Sequence, residues 1–408
     1  MSYLLSIVIP TRNRQMYAIA SVKQCLEVTD ERTQIVVSDN SDNDSLQGLI
    51  NELRSSRVKY KYTKTRIPGV DNYANGIEMS DGEYLCCIGD DDGVLPFITD
   101  ITEWASSAGE PIVKPGVHAS YIWPNVVEYY KTGCLGLDNV SSRYWYEDVQ
   151  QELVNFLHTG CDDLPKAHLP KAYHGLVRKD MFEEIHRRTG RYCGGLSPDI
   201  YLSMSLSLLV DRVLCIDIPL TIFGACKAST TGDSLNKCNK GKLEDAPHFV
   251  GQPYTWSNKV PRYYCGANIW ADSALHALED MGAQDMVNEF SVERLSCYGL
   301  LYQRIYREEI MDNLEKNCCD KKALKCMMRK EYPYYLLRTI KTTLRNNKLV
   351  FGLYVKLRKL RKKNSQAFSM PGVEDISSAA QIITRAIRSQ AETLTYALRT
   401  KGSKQNVK

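Results

Sequence analysis

The chain is short of several features, and each shortage removes a class of function. None of its 14 cysteines stands in a CxxC spacing, the spacing on which zinc knuckles are built. Cys86-Cys87 and Cys318-Cys319 are adjacent pairs, and adjacent cysteines rarely bridge each other. Cys86, Cys87 and Cys215 lie in apolar runs, where a reduced thiol behaves as a small hydrophobe. A disulfide framework is therefore not expected, and a reducing cytoplasm is the compartment that fits. The seven histidines are scattered without a pair at metal spacing; His174, near a strand end, reads as a core residue. No uncharged apolar stretch reaches the ~18 residues of a membrane span, and no signal-peptide pattern precedes the first strand-like run. Neither a Ser-His-Asp nor a Cys-His arrangement is present to suggest nucleophilic catalysis.

What is present is an ordinary globular composition, 43% hydrophobic and 25% charged over 408 residues, enough for two or three domains. The net charge of +4 conceals an asymmetry. Residues 321–363 hold 15 Lys and Arg against Glu331 alone, a net of +14, and residues 364–408 add +3. The first 320 residues therefore carry −13, the total of +4 less 17.

Along the chain, residues 4–9 are a short β-branched apolar run stopped by Pro10, a buried strand opening into a loop. A helical pattern follows over 14–28, a buried strand over 34–37, a short helix over 46–53 and an alternating strand over 58–62. A helix over 72–79 leads to another buried strand over 84–88. This rhythm predicts an α/β fold with a mostly parallel, helix-covered sheet. In such sheets ligands bind outside the carboxyl ends of the strands. Those ends are Pro10-Thr11, Ser38-Asp39 and Gly89-Asp90, so three polar clusters should converge on one crevice. Further strands are expected over 119–127, 175–178, 213–218 and 221–223. Ser197-Pro198-Asp199 opens a helix to 209, with Ser as N-cap, Pro at the first position and Asp in the first turn. A long polar loop, 225–256, carries Lys237, Lys240 and Lys242, and the pattern after Pro261 is helical apart from a break at 364–372.

The chemistry lies in the acidic clusters. Asp90-Asp91-Asp92 follows an apolar strand directly, and three adjacent carboxylates repel one another unless a cation or solvent separates them. Such oxygen ligands suit Mg²⁺ or Mn²⁺, which bridge phosphate oxygens. Asp39 at its strand end is placed to accept a hydrogen bond from a base or ribose, or to make an Asx turn. Asp199 offers a single carboxylate of the kind a general base needs, or one that complements the helix dipole.

At these positions the sequence resembles the family 2 glycosyltransferases with the GT-A fold. Ser6-Ile7-Val8-Ile9-Pro10-Thr11-Arg12-Asn13-Arg14 resembles their opening motif, and Ile35-Val36-Val37-Ser38-Asp39-Asn40-Ser41 their second strand and nucleotide-binding Asp. The run from Asn72 to Tyr84, into Gly89-Asp90-Asp91-Asp92 and Pro96, resembles their helix, strand and DxD segment. The resemblance spans about 100 residues, extends more loosely to Asp199 and fades after Phe223. It implies inverting transfer of a sugar from a nucleoside diphosphate, most often uridine diphosphate, to a hydroxyl of a saccharide or lipid-linked saccharide, as in bacterial surface-polysaccharide synthesis. Pro10, Thr11, Arg12, Asp39 and Asp90 would bind the nucleotide, Asp91 and Asp92 the Mn²⁺ or Mg²⁺, and Asp199 would deprotonate the acceptor. The sequence departs from the family where Arg12 replaces an aromatic, where Ser38 precedes Asp39, where Gly89 replaces the first DxD aspartate, and where Ser197-Pro198 precede Asp199.

The expected organisation is a GT-A catalytic domain over 1–224, an active-site or linker loop over 225–260 and a basic helical region over 261–408. Between residues 332 and 360 that region interleaves Lys and Arg with Tyr, Leu, Ile, Val and Phe, a composition suited to an anionic membrane surface. A solvated bundle is the plain alternative, and nucleic acid is not an expected partner, since no RNA-binding fingerprint is present. The expected location is cytoplasmic, peripheral on the inner face of the membrane. Two rival functions remain. A nucleotidyltransferase normally carries a glycine-rich loop after its first strand, and residues 10–16 have no glycine. A non-catalytic nucleotide-sugar-binding assembly subunit would lack the activity of Asp199.

Overall fold

β1 (Leu5–Thr11) and β2 (Thr33–Asp39) are apolar on both faces and almost wholly buried, which places them in the middle of a sheet with helices on each side. The structure, a computed structural model, describes residues 3–126, 131–162, 164, 167–229, 240–243, 254–345 and 368–401. α1 (Gln15–Val28), α2 (Ser45–Glu52), β3 (Val58–Tyr62), α3 (Gly69–Glu78) and β4 (Tyr84–Cys87) complete the first unit. β3 alternates between half-buried and exposed side chains and forms the sheet edge. A Cβ on Gly76 would lie 2.6 Å from Val8 Cγ1, so α3 packs against β1 only because that position is glycine.

β5 (Gly93–Val94), α4 (Phe97–Ala108), β6 (Ile112–Pro115), β7 (Ala119–Ile122), β8 (Gly133–Leu137) and β9 (Tyr144–Asp148) follow. Next come α5 (Val149–His158), β10 (Leu176–Arg178), α6 (Lys179–Thr189), α7 (Pro198–Ser207), β11 (Arg212–Ile216) and β12 (Thr221–Ala225). The main sheet has the order β3-β2-β1-β4-β10-β6-β11-β9. Within it β10 and β9 run antiparallel to their neighbours, and the other pairings are parallel. The expected α/β architecture with a mostly parallel, helix-flanked sheet is therefore present. The strand expected over 119–127 ends at Ile122, and the chain turns so that Trp123 meets the acidic cluster.

The carboxyl-terminal region is mainly helical, as expected, but it does not pack as one piece. The helix Gly266–Asp280 docks on α7, where Ser273 Oγ accepts hydrogen bonds from the Leu196 and Ser197 amides. The strand Phe368–Val373 joins β8 in a second, five-stranded sheet with β7, β12 and β5. The helix Ile376–Lys401 then buries Ile376, Ala379, Ala380, Ile383, Ile387, Ala391, Leu394 and Leu398 in the same core as α1 and α4. Residues 368–401 thus belong to the body of the α/β domain, although they fall within the region expected over 261–408. The helix Lys321–Arg345, which contains Pro333, leaves Tyr332, Tyr334, Leu336, Leu337 and Ile340 exposed. Residues 346–363 of the basic stretch and Lys237 of the polar loop lie outside the described residues. Lys240 begins a two-residue strand paired with Tyr264–Cys265, and Lys242 is exposed. Among the described residues no helix is long and apolar enough to cross a membrane.

Candidate active site

The parallel register sets Thr11 at the end of β1 opposite Asp39 at the end of β2, and Val8 opposite Cys87 at the end of β4, so the turn after β4 rises beside the end of β1. The chain leaving β4 turns at Gly89 and places Asp90, Asp91 and Asp92 beneath the loop after β1. All three are buried, at 0%, 4% and 1% exposure, and each has a different environment.

Asp90 Oδ2 accepts a hydrogen bond from Thr11 Oγ1 at 2.6 Å and lies 3.0 Å from Arg14 Nε. Its other oxygen, Oδ1, is buried without a hydrogen-bond partner. Burial pushes its carboxyl up to about 7 against the attraction of Arg14. Asp91 Oδ2 accepts from the Cys226 amide at 2.8 Å, while Oδ1 stands 3.8 Å from Arg14 Nη1. Burial and then the charge of Asp92 raise its carboxyl. Asp92 is the saturated member. Its Oδ2 accepts from the Gly89 amide at 2.5 Å and the Tyr173 hydroxyl at 2.8 Å, and its Oδ1 from the Gly224 amide at 2.5 Å. His174 Nε2 is 3.2 Å from Oδ2. Burial opposes the charge on Asp92, but His174 and the two amides outweigh it and hold the carboxyl below its ordinary value.

Two neighbours fix this turn. A Cβ on Gly224 would come within 1.8 Å of the Asp91 carbonyl oxygen, so that approach requires glycine. A Cβ at Gly89 would meet Asp92 Oδ2 and the Tyr173 hydroxyl, each 3.0 Å away, so glycine fits this turn most easily. Trp123 Nε1 donates to the Asp91 carbonyl at 2.8 Å.

The end of β2 is equally ordered. Asp39, fully buried, accepts from the Ser41 amide at 2.8 Å and from the Tyr60 hydroxyl at 2.9 Å; it is an Asx-turn residue. Burial and Asp39 together raise the Tyr60 phenol. Asn72 Nδ2 ties the ends of β1 and β2 together by donating to the Thr11 and Ser38 carbonyls, at 3.1 Å each. Arg12 is drawn to the loop after β2, donating to the Asn40 carbonyl at 2.6 Å and to Asp42 Oδ1 at 2.5 Å. Pro10 pairs in register with Ser38.

Asp199 sits in the first turn of α7, half-buried. Its Oδ1 accepts from the Ser197 hydroxyl and, at 2.9 Å, from the Ile200 amide. Burial, and then the charges of Asp92 and Asp91, hold the Tyr173 phenol well above its ordinary value.

The divalent ion that the resemblance implies can be tested against these donors. Asp90 Oδ1, orphaned in the core, and Asp91 Oδ1 fit a hard cation, because among the described residues Arg14 is the positive charge beside them. Asp92, which the sequence reading paired with Asp91, is the less open of the three, since both of its oxygens already accept hydrogen bonds from the fold. Sequence reasoning also passed over Arg14, Tyr60, Tyr173 and Cys226. Only Arg14 carried a signal, inside the opening motif. His174 is a core residue as expected, stacked on Phe223 at 3.5 Å between ring centres, and it is part of the site as well.

Residues 6–157 match the family model described as glycosyl transferase family 2. Over 94 residues the chain is 29% identical to a GalNAc(5)-diNAcBac-PP-undecaprenol beta-1,3-glucosyltransferase from Campylobacter jejuni, a stretch that is 22% of this chain and 30% of that protein. The chain thus spans about 30% of the length of that curated relative. Among solved structures, S. aureus TarS 1-349 in complex with UDP-GlcNAc aligns at 14% identity with a TM-score of 0.44, covering 76% of this chain and 89% of that one. The same TarS fragment in complex with UDP gives 13% identity and a TM-score of 0.40, covering 76% and 88%.

Proposed function

We propose, from the match of residues 6–157 to the glycosyl transferase family 2 model, that the protein is an inverting glycosyltransferase using a nucleoside diphosphate sugar. The observation that carries this reading is the convergence of Thr11, Asp39 and the Asp90–Asp92 turn at the ends of three parallel strands. Asp39 and Arg12 hold the nucleoside, with uracil the base that suits an acceptor carboxylate. Thr11 and Arg14 orient the diphosphate. Asp91 and Asp90 would hold a divalent ion, Mn²⁺ or Mg²⁺, whose chemistry there would be neutralisation of charge on the leaving diphosphate. Asp199, whose Oδ1 is fixed by Ser197 and Ile200, keeps Oδ2 for the acceptor hydroxyl and takes its proton as that oxygen attacks the anomeric carbon. The deciding assay is release of nucleoside diphosphate from a panel of nucleotide sugars with Mn²⁺. Turnover is expected with one uridine donor, and Asp91→Ala is expected to abolish it together with metal-dependent nucleotide binding. Full turnover in Asp91→Ala would refute the assignment.

The acceptor is proposed to be a lipid-linked saccharide, because the relative's name includes GalNAc(5)-diNAcBac-PP-undecaprenol and because the helix Lys321–Arg345 pairs basic residues with exposed Tyr332, Tyr334, Leu336, Leu337 and Ile340. Each basic residue near an anionic leaflet contributes about 1 kcal/mol. Charge reversal at the exposed Lys322, Lys325 and Lys330 should release the full chain from phosphatidylglycerol vesicles. Undiminished co-sedimentation would leave the helix as a solvated bundle element.

A further inference from the structure

A second cluster of ligating side chains lies at the opposite edge of the main sheet, and its position follows from strand register. Cys215 on β11 pairs with Lys114 on β6 and with Trp145 on β9. Glu147, two residues further along β9, returns to the same face because strand side chains alternate. His168 reaches that face from the segment after α5. One ligand atom from each of Glu147, His168 and Cys215 lies within 4.8 Å of the other two. His168 Nδ1 stands 3.6 Å from Glu147 Oε1 and is buried without a hydrogen-bond partner.

We propose that Glu147, His168 and Cys215 form a binding site for a divalent transition metal of the zinc type, separate from the acidic turn. A thiol, an imidazole and a carboxylate suit zinc, whereas Mg²⁺ and Mn²⁺ prefer oxygen alone. Two ligands on a tetrahedral ion, with arms of about 2.0–2.1 Å, stand about 3.4 Å apart, close to the separation of His168 Nδ1 and Glu147 Oε1. The carboxylate is already oriented, since Trp145 Nε1 donates to Glu147 Oε1 at 2.5 Å, the kind of outer support that metal ligands carry. The His168 amide donates to Glu152 Oε2 at 3.3 Å, and its ring meets Trp145 edge-on. Burial pushes the Cys215 thiol up to about 11, while Lys114 beside it favours the thiolate that would ligate. The side chains of His168 and Glu147 are 40% and 27% exposed, so an ion can enter from solvent, and three protein ligands leave a fourth position for water. The segment that carries His168 runs on to Tyr173 and His174, which hold Asp92, so a bound ion would fasten the support of the acidic turn to the sheet edge.

The test titrates the full, chelator-treated chain with Zn²⁺ against a chromophoric chelator and records the absorption of the Co²⁺ form. One equivalent should bind, and the Co²⁺ form should show a thiolate charge-transfer band in the near ultraviolet. Because its side chain is part-exposed, His168→Gln should fold normally and lower zinc affinity at least about 100-fold. Cys215→Ser should remove the cobalt band, and Asp91→Asn should leave both signals intact. Unchanged affinity in His168→Gln, a cobalt spectrum without the band, or loss of the ion in Asp91→Asn would each overturn the site.

Discussion

Two corners of the crevice carry its carboxylates, and they are built in opposite ways. The turn after β4 is buried and held by groups that come from far away in the chain: Thr11, Arg14, Tyr173, His174, Gly224 and Cys226. The corner at the start of α7 is half open, and among the described residues Asp199 bonds to Ser197 and Ile200 beside it. Long-range partners give the first corner a fixed shape and gather carboxylates in the core, where a nearby positive charge offsets them. Local partners leave the second less constrained, as the proposed base requires. On the proposed reading, shape and charge reside in one corner and reactivity in the other.

The largest effect that would sharpen this contrast is expected at the open corner. Asp199→Asn keeps the helix start and removes the base, so turnover should fall by about 10²–10⁴-fold with nucleotide binding and thermal midpoint unchanged. A variant that loses nucleotide binding as well would merge the two corners into one. At the buried corner the expected loss is in stability. Asp92→Ala deprives Tyr173 and two backbone amides of their acceptor and His174 of the carboxylate beside it at once, and should cost about 3–5 kcal/mol, read as a lowered denaturation midpoint before any assay of turnover. A fully stable Asp92→Ala protein that had lost metal would return Asp92 to the role of ligand.

The same contrast explains what could be read from the sequence. β1, β2 and β4 were legible because each is an unbroken apolar run that ends in a polar turn, and the carboxylates in those turns announce their chemistry. The division of labour among Asp90, Asp91 and Asp92 was not legible. Gly224 lies 132 positions from Asp92 and Tyr173 lies 81, and nothing local distinguishes a saturated acid from its neighbour. Glu147 and Cys215 were equally hidden, since only strand register brings them together. The last helix was legible as a helix, but its place in the core of the α/β domain was not. Its buried residues from Ile376 to Leu398 recur at helical spacing, yet a basic region read as a whole conceals that stripe. The strand Phe368–Val373 contains Pro371 and Gly372, which argue against a strand; it persists at the sheet edge with a register shift at Pro371/Val373.

The smallest expected effect is electrostatic and isolates Asp90. Its carboxyl is raised by burial to about 7, from the ordinary value of 3.8 that it regains on unfolding. Between those values the folded chain binds a proton that the unfolded chain does not, so stability must fall as pH rises. One such proton corresponds to about 1.4 kcal/mol per pH unit at most. Asp91 is displaced in the same direction, and so is Asp272, which burial raises to about 6. Asp92 is displaced downward and acts only at more acidic pH. With a chelator present, the denaturation midpoint should therefore decline between pH 5.5 and 6.5, and Asp90→Asn should flatten that decline by the share of one proton. Mn²⁺ should stabilise the protein more at the upper pH, where it competes with fewer protons for Asp90 and Asp91. A slope that is identical in wild type and Asp90→Asn would mean that Arg14 alone neutralises the buried corner, and the physical case for a cation there would fall.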